Sequence, residues 1–246
     1  MSNSLSGKVV IVTGASRGIG RAIAERLGRE GASVVVNFVR NTDLAQQVVA
    51  AIESGGGRGL ALHADMSNMT DVRRLFRQTA DRFGPLDILV HSAATFQAGA
   101  ISEVSEEEFD RAFALNAKGT FFALQEAARR ISDRGRIIYV SSCATAMSFA
   151  GFALYVGSKA AGEQFAKTLA KELGGRGITV NSVSPGFTDT DMLPNDPEWR
   201  KLGASMSAFN RLGQPAEVAE VVAFLASEEA RWVTGQNIQA CGGVVM

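Results

Sequence analysis

Lys8-Val-Val-Ile-Val-Thr-Gly-Ala-Ser-Arg-Gly-Ile-Gly20 decides the fold. Residues 8–13 are apolar or β-branched almost without interruption, the composition of a strand buried on both faces. Glycines follow at 14, 18 and 20, and Ile19, Ala22, Ile23 and Leu27 then recur at helical spacing. The order is strand, glycine turn, helix. Glycines in such a turn let a pyrophosphate approach backbone N–H groups, and the helix N-terminus adds partial positive charge. The spacing is GxxxGxG rather than GxGxxG, so its place between strand and helix carries the reading. Two rivals use the same residues. Gly14-Ala-Ser16-Arg-Gly18 also fits the G-x-S-x-G elbow of a hydrolase, with Asp65 and His91 following in the order Ser…Asp…His. That assignment leaves Gly20 without a purpose. A turn whose glycines serve packing alone is the other.

The alternation continues along the chain. Strands are predicted over residues 33–38, 59–63, 87–90, 136–140, 178–183 and 236–239, and helices over 43–53, 71–83, 154–173 and 216–225, the last with Pro215 in its first turn. Ser105 and Glu108 form a capping box that opens a long helix running toward Arg130. Nearly continuous apolar strands between helices predict an α/β fold: a single-domain, doubly wound (Rossmann) parallel sheet of about seven strands with helices on both faces. Ligands are expected at the carboxyl ends of the strands. No linker divides residues 1–246. Residues 187–213 carry Pro194 and Pro197, read as irregular, and are the expected substrate lid.

Composition excludes other classes. Hydrophobic residues make up 46% of the 246, and Lys+Arg and Asp+Glu both number 25, so neither disorder nor charge-driven binding to nucleic acid or membrane is expected. No apolar run approaches the ~18 residues of a membrane span, and the N-terminus has no signal-peptide pattern, which predicts a cytoplasmic protein. Cys143 and Cys241 form no CxxC pair, and with only His63 and His91 besides, neither a zinc site nor a disulfide framework is expected.

The second strand is followed by no acid to accept from ribose hydroxyls. Asn37 holds that place, with Arg40 beyond it and Arg17 in the first turn. Two guanidinium groups near the 2′ position favour a phosphate, hence NADP(H) over NAD. Further on, Tyr155-Val-Gly-Ser-Lys159 puts a phenol and an amine at i and i+4, on one helix face. Ser142 ends the fifth strand, and Asn116 lies in the long helix before it.

Taken together, Thr13 to Gly20, Asp65, Asn116, Ser142, Tyr155 with Lys159, Asn181 and Pro185-Gly186 resemble the classical short-chain dehydrogenase/reductase family over essentially the whole chain, most of all its 3-oxoacyl-acyl carrier protein reductase-like ketoreductases. The resemblance implies an oxidoreductase in which Tyr155 is the general acid or base and Ser142 hydrogen-bonds the carbonyl. It further implies that Lys159 binds the nicotinamide ribose and stabilises tyrosinate, and that Asn116 holds a water in a proton relay. It places the cofactor against Gly14, Ser16, Arg17, Gly18, Ile19, Gly20, Asn37 and Arg40, with Asp65 and Met66 at the adenine. Ser92, Ala93, Ala94, Tyr155, Lys159, Pro185, Gly186 and Thr188 complete the set. The family's Asn-Asn-Ala-Gly is here His91-Ser-Ala-Ala94, with His91 read as a structural histidine, and Cys241 replaces an acid before the C-terminal glycines.

Elementary electrostatics bears on the same pair. A free phenol has a pKa of about 10. An ammonium about 4 Å away at an effective dielectric of about 20 is worth roughly 4 kcal/mol, about a thousandfold in acidity. Lys159 is therefore expected to bring Tyr155 toward neutral pH.

Phe96, Met147, Phe149, Phe152, Met192, Leu193, Met206 and Phe209 are expected around the substrate, which suits a small-molecule ketone with a hydrocarbon body, free or acyl-thioester-linked, and argues against a free sugar. Arg129, Arg130, Arg134 and Arg136 form a basic cluster that would either dock an acidic acyl carrier protein or serve as a solvated helix end. Phe109, Phe113, Phe121 and Phe122 exceed one helix face and suggest a subunit interface; the resemblance implies a homotetramer. The alternatives to an NADP(H)-dependent ketoreductase are a non-catalytic NADP-binding regulator of the same fold, an alcohol dehydrogenase working in the oxidative direction, and the hydrolase built on Ser16.

Overall fold

β1 (Val9–Thr13) and β2 (Ser33–Phe38) are buried at every position, as their unbroken apolar runs require. This computed structural model describes residues 4–246. β3 (Arg58–His63), β4 (Leu86–His91), β5 (Ile131–Val140), β6 (Thr179–Pro185) and β7 (Asn237–Ala240) complete one sheet in the order β3-β2-β1-β4-β5-β6-β7. All pairs are parallel. Strand order reverses between β1 and β4, where Thr13 stands beside His91. Such a switch point opens a crevice beyond the strands' carboxyl ends.

Helices α1 (Gly18–Arg29), α2 (Thr42–Ser54) and α8 (Pro215–Ala226) cover one face; α3 (Met69–Phe83), α5 (Thr120–Arg130) and α6 (Ala153–Leu173) cover the other. Alternate strand residues feed the two cores: Val10 and Val12 pack with Ile23, Leu27 and Val222, whereas Val9 and Ile11 pack with Leu75, Phe76 and Ala166. Each fully buried Ile, Leu or Phe contributes about 1.5–3 kcal/mol. No helix among the described residues is long and apolar enough to cross a membrane.

The structure departs from the sequence reading in four places. The long helix is split into α4 (Glu106–Phe113), a π-helical segment (Ala114–Gly119) and α5. Its capping box forms as expected. The break lies where tertiary contacts crowd the helix: a Cβ on Gly119 would lie 2.4 Å from the Met66 carbonyl oxygen, and the Asn116 amide bonds to the Thr95 backbone at 2.9 Å. β5 begins at Ile131 rather than residue 136, through an irregular pairing with β4 and Arg134 at φ 64°. The segment 187–213 is not wholly irregular, since it holds α7 (Pro197–Met206), capped by Asp196 with Pro197 in the first turn. Finally, not all four arginines lie on the surface: Arg129, Arg130 and Arg134 are exposed and Arg136 is not. Arg136 is buried at 3% exposure and donates to the Ser227 and Gly135 carbonyls, while Arg129 and Arg130 both pair with Glu126.

Candidate active site

The glycine turn between β1 and α1 is closed by contacts that exclude a side chain. A Cβ on Gly20 would sit 2.3 Å from the Gly14 carbonyl oxygen, and one on Gly14 would sit 2.9 Å from the Ala93 Cα. Gly14 and Gly18 have φ of 63° and 56°, the left-handed region that glycine adopts at no steric cost. Gly20 thus has the purpose that the hydrolase reading could not give it. Arg17 caps α1 without any side-chain hydrogen bond, and the first turn holds no acid. The N–H groups and partial positive charge at this helix end are left for an anion.

Asn37 braces the turn from below. Its Oδ1 accepts from Gly14 N at 3.2 Å, and its Nδ2 donates to the Ala64 carbonyl at 2.9 Å. It fills the place of the acid but spends its amide on backbone. Arg17 and Arg40 are exposed at the rim, with Arg17 3.6 Å from Asp191 across the opening. Asp65 follows β3, its Oδ1 accepting from Ser67 N and Ser67 Oγ at 2.8 and 2.7 Å.

His91 lies inside the sheet and lines no groove. It is fully buried, its Nδ1 is 3.1 Å from Thr13 Oγ1, and it stacks on Tyr139. Burial, aided by the nearby Lys159 charge, pushes its pKa down to about 3. An imidazole so placed is not available to Ser16, so the Ser16–Asp65–His91 triad does not assemble.

α6 carries Tyr155 and Lys159 on one buried face. Gly162 lets that helix approach the sheet, since a Cβ there would overlap the Tyr139 ring at 2.4 Å. Lys159 Nζ consequently lies 4.6 Å from the Tyr139 ring centroid and donates to the Val140 carbonyl at 2.6 Å. Burial brings the lysine down to about 7, with Glu163 opposing. Burial also pushes Tyr155 up to about 12, the hydrogen-bonded Ser142 hydroxyl opposing. This corrects the expectation that Lys159 acidifies Tyr155. A charge-pair argument includes the cation but omits the loss of water around the phenol, and in the protein alone desolvation dominates.

Asn116, from the π-helical segment, faces Thr95 and Ser158. Its Oδ1 accepts from Thr95 N at 2.9 Å, and its Nδ2 donates to the Thr95 carbonyl and to Ser158 Oγ at 2.9 and 3.0 Å. Both amide hydrogens are engaged, so any water it holds must donate to an oxygen.

One open groove of about 800 Å³ runs over the carboxyl ends of the sheet. It brings together every residue expected at a cofactor, from Gly14 to Thr188, with Ser142, Tyr155 and Lys159, whereas Asn116 is not on its wall. Phe96, Phe149, Phe152, Met192 and Leu193 line it; Met147, Met206 and Phe209 do not, and Phe209 borders a separate cavity of about 220 Å³. The sequence does not point to Arg111 on its wall, and within the expected lid segment it does not single out Phe187 and Trp199, which also line it. Trp199 stacks on Phe152 at 5.9 Å, and Phe96 meets both Phe152 and Tyr155 edge-on at 5.1 Å. No group of three His, Cys, Asp or Glu able to hold a metal occurs among the described residues. A buried phenol hydrogen-bonded to a serine hydroxyl, in one groove with an amine and a glycine cradle, can pass a proton to a carbonyl oxygen and bind a dinucleotide.

Residues 14–245 match the family model described as Enoyl-(Acyl carrier protein) reductase. Short chain dehydrogenase/reductase AacuN of Aspergillus aculeatus is 43% identical, over 97% of this chain and 96% of its own. Versicolorin reductase stcU of Emericella nidulans is 41% identical over the same shares. The crystal structure of the angucycline C-6 ketoreductase LanV with bound NADP superposes with a TM-score of 0.95 and 46% identity, covering 99% of this chain and 98% of that one.

Proposed function

The chain belongs to the short-chain dehydrogenase/reductase family, and from that premise we propose that it is an NADP(H)-dependent ketoreductase acting on planar aromatic ketones. The observation that carries this reading is that Ser142, Tyr155 and Lys159 line one groove with five aromatic side chains and an uncapped glycine turn.

Gly14 to Gly20 would take the pyrophosphate on backbone N–H groups, and Arg17 and Arg40 the 2′-phosphate. Asp65 and Met66 would border the adenine, Ser92 to Ala94 the middle of the dinucleotide, and Pro185, Gly186 and Thr188 the nicotinamide. Bound there, NADPH supplies the hydride for the carbonyl carbon. Ser142 donates a hydrogen bond to the carbonyl oxygen and fixes its position. Tyr155 Oη delivers a proton to that oxygen, and Lys159 stabilises the tyrosinate left behind. A phenol held near 12 keeps its proton in the free protein, so transfer waits until Lys159 and the substrate's developing negative charge both act on it. Asn116 would hold, through its oxygens, the water that refills Tyr155.

Phe96, Phe149, Phe152, Phe187 and Trp199 give the substrate end flat apolar walls, which favour stacked rings over a flexible acyl chain. The versicolorin reductase and angucycline ketoreductase relatives support that preference. β-Ketoacyl thioesters are the second class to test. Phe109 and Phe121, exposed at 47% and 44%, favour burial between copies, in keeping with the homotetramer that the family resemblance implies. The test is NADPH oxidation against polycyclic aromatic ketones, β-ketoesters and β-ketoacyl thioesters. Turnover of the first class supports the proposal; NADPH binding with no turnover of any class would instead favour a regulator.

A further inference from the structure

Glu163 stands one helical turn beyond Lys159, so Tyr155, Lys159 and Glu163 share a face of α6 at successive four-residue steps. Its carboxylate reaches out of the helix to the loop after β5. Ser141 Oγ donates to Glu163 Oε1 at 2.5 Å, and Thr145 Oγ1 lies 2.7 Å from the same oxygen. These two hydroxyls flank Ser142. Thr145 Oγ1 also lies 2.8 Å from the Ser142 carbonyl oxygen, yet it has one proton to give. The carboxylate is the stronger acceptor.

We propose that Glu163 is a positioning residue: it clasps the hydroxyls on both sides of Ser142 to the Tyr155 helix, and its charge keeps the Lys159 ammonium in place. The inference rests on the ketoreductase reading above. The clasp fixes Ser142 relative to Tyr155, two groups from different elements that must meet one carbonyl oxygen. The charge matters because every other group facing Lys159 fails to supply an anion. His91 from β4 is neutral, Tyr139 from β5 offers only its ring face, and Tyr155 on the same helix keeps its proton, as does Cys143 beside it. Burial alone lowers the lysine, and Glu163 is what raises it.

Glu163→Gln keeps an acceptor for Ser141 and Thr145 but removes the charge; Glu163→Leu removes both. NADP+ binding is measured by calorimetry between pH 6 and 9 on the folded wild type and both variants, with NADPH-dependent reduction of 2-tetralone followed alongside. Losing the carboxylate lowers the pH at which Lys159 gives up its proton, so affinity is lost from the alkaline side. For Glu163→Gln, affinity within about threefold of wild type at pH 6 and about tenfold weaker at pH 8.5 is expected, the ratio that follows when the lysine titrates about one pH unit lower. Glu163→Leu is expected to lose 2-tetralone turnover at every pH, mainly in kcat, while Glu163→Gln recovers it toward pH 6. A Glu163→Gln binding profile parallel to wild type at all pH values would overturn the proposal, whether or not Glu163→Leu folds. A wild type that binds NADP+ but reduces no ketone would instead overturn the ketoreductase reading, leaving the binding comparison to judge Glu163.

Discussion

Thr13 and His91 meet at 3.1 Å across the junction of β1 and β4, and the hydroxyl can only be the donor. Thr13 Oγ1 already accepts from Ser92 N and Ala93 N at 3.0 and 3.1 Å. Its own proton therefore goes to His91 Nδ1, and the neutral imidazole carries hydrogen on Nε2, which is buried and finds no hydrogen-bond partner among the described residues. One threonine so joins the glycine turn to the segment beginning at Ser92, the two walls of the switch-point crevice.

This arrangement makes stability depend on acid. His91 stays neutral in the fold down to about pH 3, but takes a proton in the unfolded chain below about 6.5. The unfolded state then binds more protons, so stability falls as pH drops through that window. Between pH 7 and pH 5 His91 is expected to cost about 2 kcal/mol, read from urea midpoints. His91→Asn should remove that part of the slope, and an unchanged slope would refute the assignment.

Gly20→Ala tests the closed turn. The added methyl meets a backbone oxygen that cannot move aside. A loss of about 1–3 kcal/mol in thermal or urea unfolding is expected, with weaker NADPH binding. Wild-type behaviour in both would mean the turn has room that the geometry denies.

Arg17→Ala combined with Arg40→Ala tests the cofactor choice. Each charge-assisted hydrogen bond to a phosphate contributes about 1.5–3 kcal/mol. NADPH should bind at least tenfold more weakly and NADH almost unchanged, by fluorescence titration. Equal losses would remove the phosphate from these arginines.

Trp199→Ala tests the aromatic wall. An aromatic pair is worth about 0.5–1.5 kcal/mol beyond its buried area, so KM for a polycyclic ketone should rise severalfold or more, with NADPH affinity kept. No change in KM would place the substrate elsewhere.

The parts of this site that sequence makes legible are those written in local spacing: the strand–glycine–helix order at Val9–Arg29, and Tyr155 with Lys159 one turn apart. α7 was within reach, because Asp196-Pro197 opens a helix by the same proline preference that located α8 from Pro215. The π-helical break at Asn116 was not, since it depends on Thr95 and Met66, both distant in sequence. Nor was the inward turn of Arg136, whose partners at Ser227 and Glu228 lie about 90 positions on. The acidity of Tyr155 failed for a physical reason: spacing tells which charges are near, but only packing tells how much water has been removed.

The proton-transfer role of Tyr155 is tested most directly by Tyr155→Phe, with single-turnover reduction of an aromatic ketone and NADPH affinity measured on the same protein. Loss of the hydroxyl should slow reduction by about 10²–10⁴-fold while NADPH affinity stays within about threefold of wild type. A variant that reduces the ketone at the wild-type rate would contradict the account.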